Sequence, residues 1–253
     1  EMHEANKKWW DVKAADWQKL DDRNWRKCPE QPGLAFEGGM LEMIRDFCGD
    51  MAGKKALAVA SGDNYVVFAL AGMGANVTST DISQNRLDIA SERAGILGLD
   101  IEFVRCDAAD LSKSVNDNYD LVVSTPGTFV WLSDLKQVFS EIRAILKPGG
   151  WYIFREIHPF ARPFRDQREM EIYKSYFDIG PFTTTADGIE TTICNLHWKV
   201  SDIFNALTDS GFHIRKLNET PAENAGYWEG AYYGQGGDER LLDWRFNPQA
   251  AIP

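Results

Sequence analysis

Three short apolar runs end in residues that could hold a polar ligand. The run 55–60 gives way to Ser61-Gly62-Asp63-Asn64, the run 76–80 stops at Asp81, and the run 101–105 is followed by Cys106-Asp107-Ala108. Gly62 suits a sharp turn needing positive φ or close approach of a ligand to the backbone. The helix expected after it would present free N–H groups at its start. A dinucleotide pyrophosphate usually meets G-x-G-x-x-G there. This turn holds a single glycine, and Asp63 would repel phosphate, so a cationic or zwitterionic ligand suits it better. Asp81, nineteen residues after Gly62, stands where a carboxylate can accept both hydroxyls of a ribose. Asp107 could accept from the amino group of adenine. Each residue has a plainer reading as well: a simple strand-to-helix turn, a cap for the helix starting near Ser83, and a surface turn. Taken together the three strand ends favour an adenosine pocket.

The elements that would carry these residues alternate at α/β spacing. Strands are expected over 55–60, 76–80, 101–105, 119–124 and 151–157, with helices over 64–73, 83–97 and 133–146. Leu135, Val138, Phe139, Ile142, Ile145 and Leu146 make one stripe of the last helix, and Lys147-Pro148-Gly149-Gly150 should stop it. Strand–helix–strand repetition predicts a doubly wound, mostly parallel sheet. Ligands bind such sheets beyond the carboxyl ends of the strands, which gathers Ser61, Asp81, Asp107 and Ser124-Thr125 along one edge.

With these residues in view, the chain resembles a class I S-adenosylmethionine-dependent methyltransferase of the small-molecule type. The likeness rests on ALAVASGDN, NVTSTDIS, EFVRCDAADL, YDLVVSTPGTFVWL and ILKPGGWYIF, and more loosely on DIFNALTDSGFHIRKL. It implies S-adenosylmethionine as cofactor and S-adenosylhomocysteine as product, on a Rossmann-like fold. It implies that Ala60, Ser61, Gly62 and Asn64 wrap the methionine moiety, that Asp81 bonds the ribose with Ile82 against the adenine, and that Asp107 and Ala108 bind the adenine. Ser124 and Thr125 would face the methionine end. The first loop departs from the family's usual D-x-G-C-G-x-G, with Ala58, Ala60 and Asn64 replacing the acid and two glycines; Asp63 could compensate. The fourth strand ends in Ser124-Thr125-Pro126-Gly127, without the D-P-P-Y or N-P-P-Y of enzymes acting on base amines.

The rest of the chain is read around that core. A helix over 4–20 carries Trp9, Trp10 and Trp17; in similar enzymes such a helix is a lid over the cofactor, and Trp10 and Trp17 could equally pack on the domain body. An insertion after the fifth strand holds Phe160, Phe164, Tyr173, Tyr176, Phe177 and Phe182 with Arg155, Arg162, Arg165 and Arg168. It is expected to shape a pocket for an aromatic or anionic small molecule, or to be a packed cap with a solvated rim. His158 and His197 are the candidate general bases, unless they position or pack. His3 is expected to fray, and His213 to begin a structural strand over 213–217. A helix is expected over 201–210. No seventh strand is evident, and the aromatic tail 222–253, with Tyr232 and Tyr233, could cover the substrate mouth. One domain is expected: 1–50 lid helices, 51–160 cofactor core, 161–196 substrate cap, 197–253 closing helix, strand and tail.

The 253 residues carry a formal charge of −11 with 44% hydrophobic and 26% charged residues. That balance is ordinary for a globular domain and lacks the basic footprint of phosphate-backbone binding, so nucleic acid is disfavoured. No apolar stretch reaches membrane-spanning length, and no metal-ligand spacing is evident. Four scattered cysteines read as free thiols in a reducing compartment, so a cytoplasmic monomer or homodimer is expected. The rival readings are a dehydrogenase of the NAD type on a related sheet, and a non-catalytic partner protein with a degenerate pocket.

Overall fold

The computed structural model describes residues 1–20, 24–62, 65–115, 118–165, 170–185, 192–229 and 237–253, with the side chains at 17 and 20 not described. Asp63, Asn64, Arg168, Tyr232, Tyr233 and the Trp17 side chain therefore lie outside the described residues. In chain order the elements are α1 (Met2–Leu20), α2 (Met40–Cys48), β1 (Lys55–Ala58), α3 (Val66–Gly72), β2 (Asn76–Asp81), α4 (Gln84–Leu97) and β3 (Ile101–Arg105). There follow α5 (Leu111–Ser114), β4 (Tyr119–Ser124), α6 (Leu135–Ile145), β5 (Leu146–Phe154), β6 (Phe182–Thr185), β7 (Thr192–Asn195) and α7 (Val200–Asp209).

Five parallel strands form one sheet in the order β3-β2-β1-β4-β5. The chain winds outward from β1 on one side and from β4 on the other, so strand order reverses between β1 and β4, the place where such sheets open a crevice. Alternation along β1 divides the core. Ala56 and Ala58 face a cluster built from α2, α3 and Trp25, while Leu57 and Val59 face one built from α5, α6 and α7. The central α3 is apolar all round, with Val66, Val67, Phe68, Ala69 and Leu70 at 0% exposure, as a helix enclosed on every side must be. On α6 the expected stripe is buried, and Asp134 caps its start by accepting from the Gln137 N–H at 2.9 Å.

Two boundaries differ from expectation. α6 stops at Ile145 and Leu146 already pairs with Tyr119, so Lys147-Pro148-Gly149-Gly150 lies within β5 across an irregular register rather than forming a separate stop. No strand forms over 213–217: Ile214 is 38% and Leu217 70% exposed. In that segment Arg215 and Lys216 interrupt the apolar alternation a half-buried strand requires. Only Phe212 reaches inward, against Tyr152 at 5.8 Å. β5 is therefore an edge strand among the described residues.

The insertion contains a feature absent from the sequence reading, the antiparallel hairpin β6–β7 in its own two-stranded sheet. It anchors α1. The Asn6 side chain donates to the Cys194 carbonyl at 2.8 Å and accepts from the Cys194 N–H at 2.9 Å, as a neighbouring strand would. α1 also packs along α4, which lays it across the carboxyl ends of β1, β2 and β3.

Candidate active site

β1 ends in a turn that two left-handed residues create. Ala60 has φ +50° and Gly62 φ +52°, and Ala60 is the one non-glycine with positive φ among the described residues. An L-residue there costs about 1–2 kcal/mol, so the position where the family prefers glycine keeps its unusual backbone without one. Ser61 between them is buried, its N–H donating to the Thr80 carbonyl at 2.9 Å and its hydroxyl paired with that of Ser79. Gly62 lies beneath Arg86: a Cβ there would stand 2.3 Å from Arg86 Nε.

Asp81 closes β2 with 8% exposure. Its Oδ1 accepts from the Ser83 N–H at 2.8 Å. The cap of α4 is Ser83 itself, whose hydroxyl accepts from the Arg86 N–H, so Asp81 is not spent on capping. Asp107 follows β3. Its Oδ1 accepts from the Ala109 N–H at 2.9 Å and its Oδ2 meets His3 Nδ1 at 2.6 Å. Burial would raise its pKa, but the hydrogen bonds from His3 and the Ala109 N–H outweigh burial and hold it below the ordinary carboxylate value. His3 does not fray: its Nε2 also accepts from the Ser133 N–H at 3.0 Å.

Ala60, Ser61, Asp81, Ile82, Asp107, Ala108, Thr125 and Trp10 all line one cleft of about 130 Å³. Ser124 lies outside it, its hydroxyl paired with Tyr152 at 2.7 Å within the sheet. Gly62 forms the floor under Arg86 rather than a wall. A second cavity of about 1280 Å³ runs beside the β5 edge, bounded on its far side by 211–224 and by the tail residues Tyr227, Trp228 and Leu242. The two cavities share Trp10, Arg86, Thr125, Pro126, Gly127 and Trp131. That junction is aromatic: Trp9 stacks on Trp131 at 5.9 Å, and Trp10 meets Trp131 edge-on at 5.3 Å.

The sequence reading missed the group that shapes this junction. Glu156, just past β5, accepts from the N–H groups of Gly127 at 2.5 Å, Phe129 at 2.8 Å and Ile157 at 2.8 Å. Its carboxylate pins the loop after β4 that divides the two cavities. Burial pushes its pKa up, against those three backbone hydrogen bonds and the nearby Arg162. The available signal was an acid directly after an apolar strand at the ligand-binding edge.

Neither candidate base is poised to take a proton. His158 lines the large cavity, but its Nδ1 accepts from the Phe160 N–H at 3.2 Å and its Nε2 contacts Glu219 at 3.1 Å. His197 lines neither cavity. It packs at a tilt against Phe182 at 4.6 Å, and burial, with Arg162 and Lys174 adding to it, lowers its pKa to about 4.

The insertion's aromatics also sit elsewhere. Phe164, Phe160, Tyr176 and Phe177 form a ring-to-ring chain near the surface, with Phe177 77% exposed. The cavity's rings come instead from α1, the β4 loop, β5 and the tail. Arg155 is paired with Glu37 at 2.7 Å and Arg165 with Glu171 at 3.0 Å, whereas Arg162 lines the cavity. No His/Cys/Asp/Glu group suited to a metal ion occurs among the described residues, and no described helix is long and apolar enough to cross a membrane.

Comparison with known proteins identifies the domain and the fold around this cleft. A family model described as a methyltransferase domain matches residues 57–154. The ubiquinone biosynthesis O-methyltransferase of Bordetella avium is 27% identical over 124 residues, 49% of this chain and 51% of that protein. The chain thus spans about half the length of this curated relative. An S-adenosylmethionine-dependent methyltransferase from Mesorhizobium loti has the same fold at TM-score 0.58 and 22% identity, over 79% of this chain and 93% of that one. So does magnesium protoporphyrin IX methyltransferase from Synechocystis PCC 6803 with bound S-adenosylmethionine, at TM-score 0.55 and 15% identity over 85% and 88%. At these identities the structural likeness establishes the fold, and the family model covers the strand ends that build the cleft. Residues 57–154 thus match a methyltransferase domain, on the fold shared by these S-adenosylmethionine-dependent methyltransferases.

Proposed function

We propose that this chain transfers the methyl group of S-adenosylmethionine to a hydroxyl of a small aromatic acceptor, which enters through the large cavity. One observation carries the reading: Ala60 and Ser61 of the first turn, Asp81 and Asp107 line a single cleft that opens into a second cavity at Trp10, Thr125 and Trp131. The residues fit the cofactor. Two carboxylates at the ends of β2 and β3 suit a nucleoside rich in donors, and the positive-φ turn lets backbone approach the ligand closely. When bound, S-adenosylmethionine supplies a methyl group already activated by the positive charge on its sulfur.

The protein's share of the work is then alignment and exclusion of water. The Glu156 carboxylate holds the Gly127–Phe129 backbone, and so the wall on which donor and acceptor would meet. Trp9, Trp10 and Trp131 close the junction against solvent. The Bordetella relative's name supports an oxygen nucleophile, and the rings along the cavity support an aromatic acceptor. Calorimetry with S-adenosylmethionine, S-adenosylhomocysteine and NAD tests the cofactor half: the first two should bind at one site and NAD should give no heat. Binding of NAD alone would overturn it. Radiolabelled methyl transfer to hydroxylated aromatics, set against their O-methylated counterparts, tests the acceptor half; equal labelling of both sets would exclude an oxygen nucleophile.

A further inference from the structure

The N-terminal helix does more than border the cleft. Its residues occupy the places a nucleoside would need. His3 Nδ1 lies 2.6 Å from Asp107 Oδ2, the oxygen left over once Oδ1 has accepted from the Ala109 N–H. His3 Nε2 meets the Ser133 N–H and hydroxyl, both at 3.0 Å, so the imidazole is held on both sides. One helical turn beyond Lys7, Asp11 Oδ1 accepts from the Ser83 hydroxyl at 2.6 Å, and the Asp11 carbonyl accepts from the Asn85 side chain at 2.8 Å. Between these two latches, Trp10 lies on the Arg86 guanidinium at 4.9 Å, and Arg86 in turn covers Gly62. The space that remains is about 130 Å³, whereas pockets for small-molecule ligands generally run roughly 300–1,000 Å³.

We propose that α1 is a self-occluding lid, in which His3 takes the seat of the adenine amino group on Asp107, so that helix docking and nucleoside binding compete for one carboxylate. This rests on the assignment of Asp107 to the adenine made above. Helix and cofactor then bind alternative states of the same site. The apparent affinity for cofactor falls by the fraction of molecules whose helix is open, and any change that favours the open state raises it. The latches at Ser83 and Ser133 both belong to elements framing the cleft, so releasing either end should loosen the whole helix. Asp11 serves as the independent handle. It touches no surface of the cleft, and its loss should act in the same direction as loss of His3.

The test is stopped-flow binding of S-adenosylmethionine to the full chain, followed by tryptophan fluorescence. With an occluding helix, the observed rate in the unaltered chain levels off with cofactor concentration at the rate of helix opening. His3→Ala should raise that plateau and tighten the dissociation constant roughly three- to ten-fold, the scale of one intramolecular hydrogen bond, and Asp11→Ala should move both the same way. Unchanged or weaker binding in His3→Ala would overturn the proposal. Asp107→Ala, made in the His3→Ala background, separates this failure from failure of the site assignment. A tenfold or larger loss there keeps Asp107 in the adenine seat even if the helix proves passive; no loss removes the seat itself, and the occlusion with it.

Discussion

At the scale of single residues, the site is a set of backbone and carboxylate positions rather than a set of catalytic side chains. Asp81 is the sharpest of them, buried at a strand end with only one of its hydrogen bonds given to the adjoining turn. Asp81→Ala should weaken S-adenosylhomocysteine binding by about 1.5–3 kcal/mol, the range for hydrogen bonds involving a charged group, measured by calorimetry on a folded variant. His197 makes a different prediction. Burial lowers its pKa from 6.5 to about 4, so the unfolded chain binds a proton there that the native chain refuses. The stability this neutral imidazole maintains is complete above pH 6.5 and is lost as pH falls toward 4. His197→Gln should flatten that part of the urea-stability profile by about 1–2 kcal/mol, after allowance for its half-buried setting. An unaltered acid limb would show that other groups set it.

At the scale of elements, legibility followed locality. β1 to β4 and α6 were readable because each is a short apolar run or a single stripe, bounded by Gly, Asp or Pro, with its larger apolar residues buried or half-buried. The same locality exposed Asp81 and Asp107, since a strand end in a parallel sheet is also a ligand edge. What sequence could not show were groups that act through distant partners. His3 meets Asp107 across 104 positions and Asn6 meets Cys194 across 188, and no periodicity marks either contact. The strand expected over 213–217 failed for a local reason: Arg215 and Lys216 interrupt its apolar alternation, and Ile214 and Leu217 stay exposed. Glu156 belongs with the hidden groups, because its role lies in two backbone N–H groups of a loop nearly thirty residues earlier. Glu156→Gln would set an amide donor against N–H groups now facing a carboxylate. It should cost about 1–3 kcal/mol of stability and weaken cofactor binding by loosening Thr125–Gly127. Stability and affinity both unchanged would show that the loop holds its shape without that carboxylate.

At the scale of the whole molecule, a five-stranded sheet supplies a fixed edge on which two movable or variable parts are mounted. On one side the sheet's switch point, between β1 and β4, presents the cleft and its helical cover. On the other, the unpaired edge of β5 and the tail enclose a cavity ten times larger. The strand ends of the cleft fall within the matched methyltransferase domain, whereas the cavity extends beyond it to the tail. This explains why the cofactor class could be read from the chain while the acceptor could not: the cleft is built at strand ends, whereas the cavity is walled by α1, the β4 loop, β5 and the tail, which only the folded chain brings together. The most direct test of the central claim is a crystal structure of the full chain with S-adenosylhomocysteine. The adenine should lie between Ile82 and Ala108 with its amino group on Asp107, the ribose on Asp81, and His3 displaced from its present contact. A ligand bound outside this cleft, or one bound within it while the Asp81 carboxylate faces away, would contradict the account.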